Sequence, residues 1–184
     1  MDTKRSDVKR SQRGMIASFV FLAVCVAPVS AADMMLIVPE VSGQSAFLPG
    51  GIDVTGYSHG VEVTAIPVGT GGGASKVSMK EFTVTKKVDR ATPALYQKCC
   101  AGKHFANVNL YVRQMKGEQA ADFYVITLSD ALITSCKTSD SATGLGQETV
   151  TFQYSKISTS VTSGQDDKGQ PLPPVTFSWD PTKV

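Results

Sequence analysis

The sequence predicts a mainly β fold, a sandwich or barrel of antiparallel strands with one short helix. Three observations predict it. Apolar and polar residues alternate with period two over most of the chain after residue 33. Turn signals separate about seven such runs. One segment only, "DRATPALYQKCCAGKH", carries helical punctuation. At 184 residues the chain can hold one domain with a real core and hardly two.

Residues 1–32 read as a targeting segment. Lys4, Arg5, Lys9, Arg10 and Arg13 form a basic head, "MIASFVFLAVCVAPV" an apolar run, and "SAAD" the small residues that follow. That is the order of a secretory signal, with cleavage before Ala32 or Asp33. The apolar run reaches only about 22 Å as a helix, short for a bilayer core. An uncleaved anchor and a true start at Met34 are the alternatives. Residues 33–184 are read as one β domain.

Within that domain "DMMLIVP" and "GIDVTGYSHGVEVTAI" supply the first strands. "KEFTVTKKV" turns Phe82 and Val84 inward and Glu81, Thr83 and Thr85 outward. The helix follows over about residues 93–101. Thr92 is its cap, Pro93 fits its first turn and Gly102 its stop. Ala94, Leu95, Lys98, Cys99 and Ala101 form one stripe to bury against the sheet. In "FANVNLYVR", Ala106, Val108, Leu110 and Val112 share a face opposite Asn107, Asn109 and Arg113. "DFYVITLSDALITS" is a longer strand with a bend near Ser129–Asp130. "ETVTFQYSKISTSV" and "PVTFSWD", with the only tryptophan, complete the set.

Charge and motif chemistry exclude more than they suggest. From residue 33 onward thirteen basic residues face fourteen acidic ones, and no basic stripe is present, so no nucleic-acid partner is expected. The run "VGTGGGASKV" resembles a phosphate cradle. Yet Lys76 follows Ser75 rather than glycine, and a strand, not a helix, comes next. It reads as a pliable strand connection. His59 and His104 are the only histidines, and no G-x-S-x-G elbow accompanies them. Cys99, Cys100, His104 and Cys136 match no two-plus-two zinc spacing. Cys99, Cys100 and Cys136 read instead as small buried hydrophobes, the adjacent pair being poorly placed to bridge each other. Asp166–Asp167 reads as a solvated turn. No catalytic residue, metal or cofactor is expected.

The segments "IDVTGYSHG", "GGGASKV", "FTVTKKVDRATPALYQKCCAGKH", "FYVITLSDALITS", "ETVTFQYSKI" and "VTFSWD" stand in an order that resembles Hcp, the haemolysin-coregulated tube protein family of type VI secretion. The most specific part is the D-x-x-[ST]-P-x-L…G-K-H stretch, here Asp89, Thr92, Pro93, Leu95, Cys99, Gly102, Lys103 and His104. The resemblance implies a β-barrel of two packed antiparallel sheets with one flanking helix, assembled as a six-membered ring. Such rings stack into a hollow tube inside a contractile sheath, meet a spike, and carry effectors in the lumen. The resemblance also makes Gly71, Gly72, Gly73 and Lys76 candidates for a subunit or ring-stacking contact. It implies export through the secretion machine from the cytoplasm, whereas a cleaved leader implies the periplasm. A periplasmic or secreted β-barrel binding module that keeps the fold without forming a tube is the alternative.

Overall fold

The computed structural model describes residues 33–64, 76–116, 119–140, 144, 146–162 and 170–180. The leader, Gly71, Gly72, Gly73 and Asp166–Asp167 lie outside the described residues. In chain order the elements are β1 (Asp33–Ile37), β2 (Ile52–Val54), β3 (Gly56–Ser58), β4 (Val61–Thr64), β5 (Lys76–Met79), β6 (Phe82–Lys87), α1 (Thr92–Cys100), β7 (His104–Lys116), β8 (Gln119–Ser139), β9 (Gln147–Val161) and β10 (Val175–Trp179).

One antiparallel sheet runs β2-β1-β7-β8-β9-β6-β3, with β10 added beside β9, and β4 pairs with β5 as a separate hairpin. The sheet nearly closes on itself because its two ends belong to one short stretch of chain. Ile52–Val54 lies along β1, while Gly56–Ser58 lies along β6. Between them the Thr55 N–H donates to the Thr85 carbonyl at 2.8 Å, and the Thr55 hydroxyl reaches the same oxygen at 3.0 Å. Closure removes most of the exposed strand edge that an open sheet would present. The two expected walls are therefore parts of one curved sheet.

The curvature has a visible cause. On β8 the buried residues are Ile126 and Leu128, then Ala131 and Ile133, so the alternation changes phase between Leu128 and Ala131. Asp130 sits at that point with φ 48°, outside the range that strand residues normally adopt. The same phase change crosses to β7, where Val108 and Phe105 are buried but Ala106 is exposed. It crosses to β9 as well, between Phe152 and Ile157. The bend expected near Ser129–Asp130 is thus present, and it corrects the expectation for Ala106. Strict alternation fails where three neighbouring strands turn a corner together.

Phe82, Val84, Val108, Leu110, Ile126, Leu128, Val150 and Phe152 fill the interior. Each large one contributes about 1.5–3 kcal/mol by leaving water. Helix α1 covers the end of the barrel where β6, β8 and β9 carry Lys86, Thr138 and Glu148. Leu95 enters the core fully buried, and the Tyr96 hydroxyl lies 2.7 Å from that of Thr138.

Candidate functional site

The barrel end beneath α1 holds a polar cluster that the strand period itself delivers inward. Phe82, Val84 and Lys86 alternate on β6, and Glu148 and Val150 on β9, with Lys86 directly opposite Glu148. Both Lys86 and Glu148 are fully buried. The Lys86 ammonium donates to Glu148 Oε2, Asp89 Oδ1 and the Lys87 carbonyl, each at 2.8 Å, and lies 3.2 Å from the Thr92 hydroxyl. Thr92 in turn donates to Glu148 Oε2 at 2.7 Å. A charge so buried is tolerable only with this density of partners. Glu148 Oε1 has no hydrogen-bond partner among the described residues.

Ala91, not Thr92, is the N-cap of α1, and it makes no side-chain capping bond; Asp89 acts in the turn just before it. The Asp89 carboxylate accepts the Ala91 N–H at 2.8 Å, and the Thr92 hydroxyl accepts the Asp89 N–H at 3.1 Å. The two side chains thus satisfy the backbone donors of Ala91 and Asp89, while the Thr92 N–H donates to the Asp89 carbonyl at 3.2 Å. Thr92 opens α1 itself and Pro93 stands in its first turn, where no N–H is needed. Gly102 ends it at φ 58°, with Gly102 N–H bonded to Cys99 O and Lys103 N–H to Lys98 O, a Schellman arrangement. Lys98 and Lys103 both bind Glu40, at 2.6 and 2.7 Å. Hydrogen bonds from Lys103 and then Lys98 hold the Glu40 carboxyl down at about 2. Of the expected stripe, Leu95 is buried and Ala94, Lys98 and Cys99 partly so. Ala101 is exposed because the helix ends beneath it.

His104 opens β7 with its Nδ1 2.8 Å from Asp130 Oδ1, while the Ser155 hydroxyl donates to Asp130 Oδ2 at 2.6 Å. The Ser155 and His104 bonds hold the Asp130 carboxyl below its usual range. Here the serine bonds the carboxylate rather than the imidazole. The nucleophile–base contact of a hydrolytic triad is therefore missing from this trio. Its work is to tie β7, β8 and β9 at the corner. Among the described residues no group of three or more His, Cys, Asp or Glu side chains could hold a metal ion. Cys100 is exposed, against expectation, since its position next to Cys99 turns it off the buried side of the helix. Cys99 and Cys136 are half-buried.

The second feature is an apolar surface. In the β4–β5 hairpin, Val61 opposes Met79 and Val63 opposes Val77, which puts all four on one face. The other face carries the Glu62–Lys80 ion pair. Val61 and Val63 are 59% and 54% exposed, and on β10 Val175 and Phe177 are 76% and 53% exposed. An open groove of about 190 Å³ joins the two elements, lined by His59, Val61, Met79, Tyr124, Ile157 and Phe177. Burial pushes His59 below the ordinary histidine value. Lys76, one of the residues expected at a contact, begins β5 opposite Thr64, at the connection end of this hairpin. The sequence reading missed Lys86, Glu148 and the β10 valine and phenylalanine. Continuing the period of Phe82 and Val84 by one step would have found Lys86.

Comparison with known proteins bears on both features. Residues 42–161 match the family model described as "Type VI secretion system effector, Hcp". Protein hcp1 of Pseudomonas aeruginosa is 30% identical over 109 residues, which are 57% of this chain and 65% of that protein. The match thus spans just under two thirds of the relative's length. Among solved structures, a type six secretion system protein superposes with a TM-score of 0.71 at 20% identity, covering 83% of this chain and 98% of that one. Hcp1 from Salmonella typhimurium gives 0.66 at 22% identity, over 84% and 97% of the two chains. A type VI secretion effector from Yersinia pestis gives 0.63 at 21%, over 80% and 99%. These likenesses fix the barrel with its flanking helix, and the family match covers more than half of the sequence. The chain belongs to the Hcp family of type VI secretion proteins.

Proposed function

We propose that the protein is a structural subunit of the type VI secretion inner tube. It assembles as a six-membered ring, and the rings stack into a hollow tube that carries or delivers effectors. The observation that carries this reading is the exposed apolar surface of the β4–β5 hairpin and β10. Contiguous apolar surface of this kind marks a place where another protein sits. A second copy is the natural occupant, because a heterologous contact repeated around an axis closes a ring without a second design. The groove between the two elements is smaller than the roughly 300–1,000 Å³ of small-molecule sites, which disfavours a binding module.

The role is mechanical rather than enzymatic, consistent with the His104–Asp130–Ser155 arrangement serving to hold strands. Sheath and spike proteins and luminal effectors are the proposed partners, and export through the machine the proposed route. Gly71, Gly72 and Gly73, on the connection between β4 and β5, and Lys76, which begins β5, are proposed to meet the neighbouring ring. The family-motif residues Asp89, Thr92, Pro93, Leu95, Cys99, Gly102, Lys103 and His104 are proposed to stiffen the barrel end against the forces of assembly.

Electron microscopy of the purified protein tests the assembly. Val61→Glu with Phe177→Glu is expected to abolish rings while circular dichroism stays that of the parent. Gly72→Pro is expected to leave rings that no longer stack. Rings persisting in the double variant would remove the hairpin and β10 from the contact.

A further inference from the structure

We propose that Cys99 and Cys136 are a redox modification site, closing a reversible disulfide that ties the last turn of α1 to β8. The fold brings them together from two elements. The Tyr96–Thr138 hydrogen bond of 2.7 Å fixes how the helix lies over the strand. Cys99 follows Tyr96 by three residues, so it stands one turn further along the same helix face. Cys136 precedes Thr138 by two residues, so it shares that residue's face of the strand, opposite buried Val150. Both side chains are half-buried and pack against the same hydrophobic cluster. After burial, Cys99 is the neighbour that acts most strongly on the Cys136 thiol. Exposed Cys100 is adjacent to Cys99 in sequence, and a bridge between those two is geometrically poor.

The oxidant is a low-molecular-weight disulfide, R–S–S–R. The Cys99 thiolate attacks one of its sulfurs, forms Cys99–S–S–R and releases one RS⁻. The Cys136 thiol then gives its proton to solvent, and its thiolate attacks the Cys99 sulfur and expels the second RS⁻. Two protein thiols are oxidised and one small disulfide is reduced to two thiols, which take up the protons. The second step limits the rate. Burial, followed by the neighbouring Cys99, pushes the Cys136 thiol up to about 12. Its thiolate is scarce near neutrality, so closure accelerates about tenfold per pH unit over the range below that value.

The test uses the full-length chain with Cys100→Ser, an exposed change that leaves the core intact. The protein is incubated with oxidised glutathione from neutral to alkaline pH, alkylated, and mapped by mass spectrometry without reduction. The expected result is a Cys99–Cys136 link within one chain, formed about tenfold faster for each pH unit and reversed by dithiothreitol. Persistent glutathione adducts at Cys99 with Cys136 alkylated, or links only between chains, would overturn the proposal. A closure rate independent of pH would overturn the assigned order of steps.

Discussion

Lys86 shows what one residue can hold in place. Its ammonium joins two strands, through Lys87 and Glu148, to the turn that leads into α1, through Asp89, and to the first residue of α1, Thr92. Replacing it with alanine leaves the Glu148 carboxylate buried without its partner. The expected loss is about 3–5 kcal/mol, measured as the shift in urea denaturation. Lys86→Met with Glu148→Leu should recover most of it, since the uncompensated charge is then gone. A loss below about 1 kcal/mol in the single variant would mean that the cluster is not energetically coupled. Glu40 offers a pH test of an exposed group. Its folded carboxyl is held near 2 while the unfolded one titrates at its ordinary 4.5. The folded protein therefore binds fewer protons between those values. The stabilisation is complete above 4.5 and lost as pH falls through about 2. Thermal melts of wild type and Glu40→Gln should differ modestly above 4.5 and converge toward 2. A gap of constant size would show that the carboxylate is not its source.

At the scale of elements, α1 was legible because its punctuation is chemical. Pro93 and Gly102 can each do only a few things, and they bracket the helix as expected. Thr92 misled because a threonine hydroxyl suits a cap equally well as an acceptor for a backbone N–H in the preceding turn, here that of Asp89. Only the fold reveals that the Asp89 carboxylate reaches Ala91 first. Gly102 gives a clean measurement. A Cβ there meets nothing within 4 Å, so Gly102→Ala tests the backbone alone. Its φ of 58° should cost about 1 kcal/mol in denaturant unfolding. No loss would mean that the helix end relaxes to another conformation. The strands were legible wherever one face alone is buried. They were not at Ala106, because a corner spanning β7, β8 and β9 is fixed by partners distant in sequence.

The whole molecule is a nearly closed barrel with its motif residues gathered at the end beneath α1 and its apolar surface formed by β4, β5 and β10. The barrel and helix could be read from period and punctuation. The apolar surface could not, since Val61, Val63, Val175 and Phe177 alternate as core residues do. Their exposure emerges only once β4 and β5 pair as a hairpin apart from the main sheet and β10 takes its place beside β9. That surface is the proposed basis for assembly, and assembly is the central claim. A native mass spectrum of the full-length protein at near-physiological ionic strength tests it most directly. The account predicts a six-subunit species that falls to monomer when Val61 and Phe177 are both glutamate. A wild-type chain that remains monomeric throughout the micromolar range would contradict it.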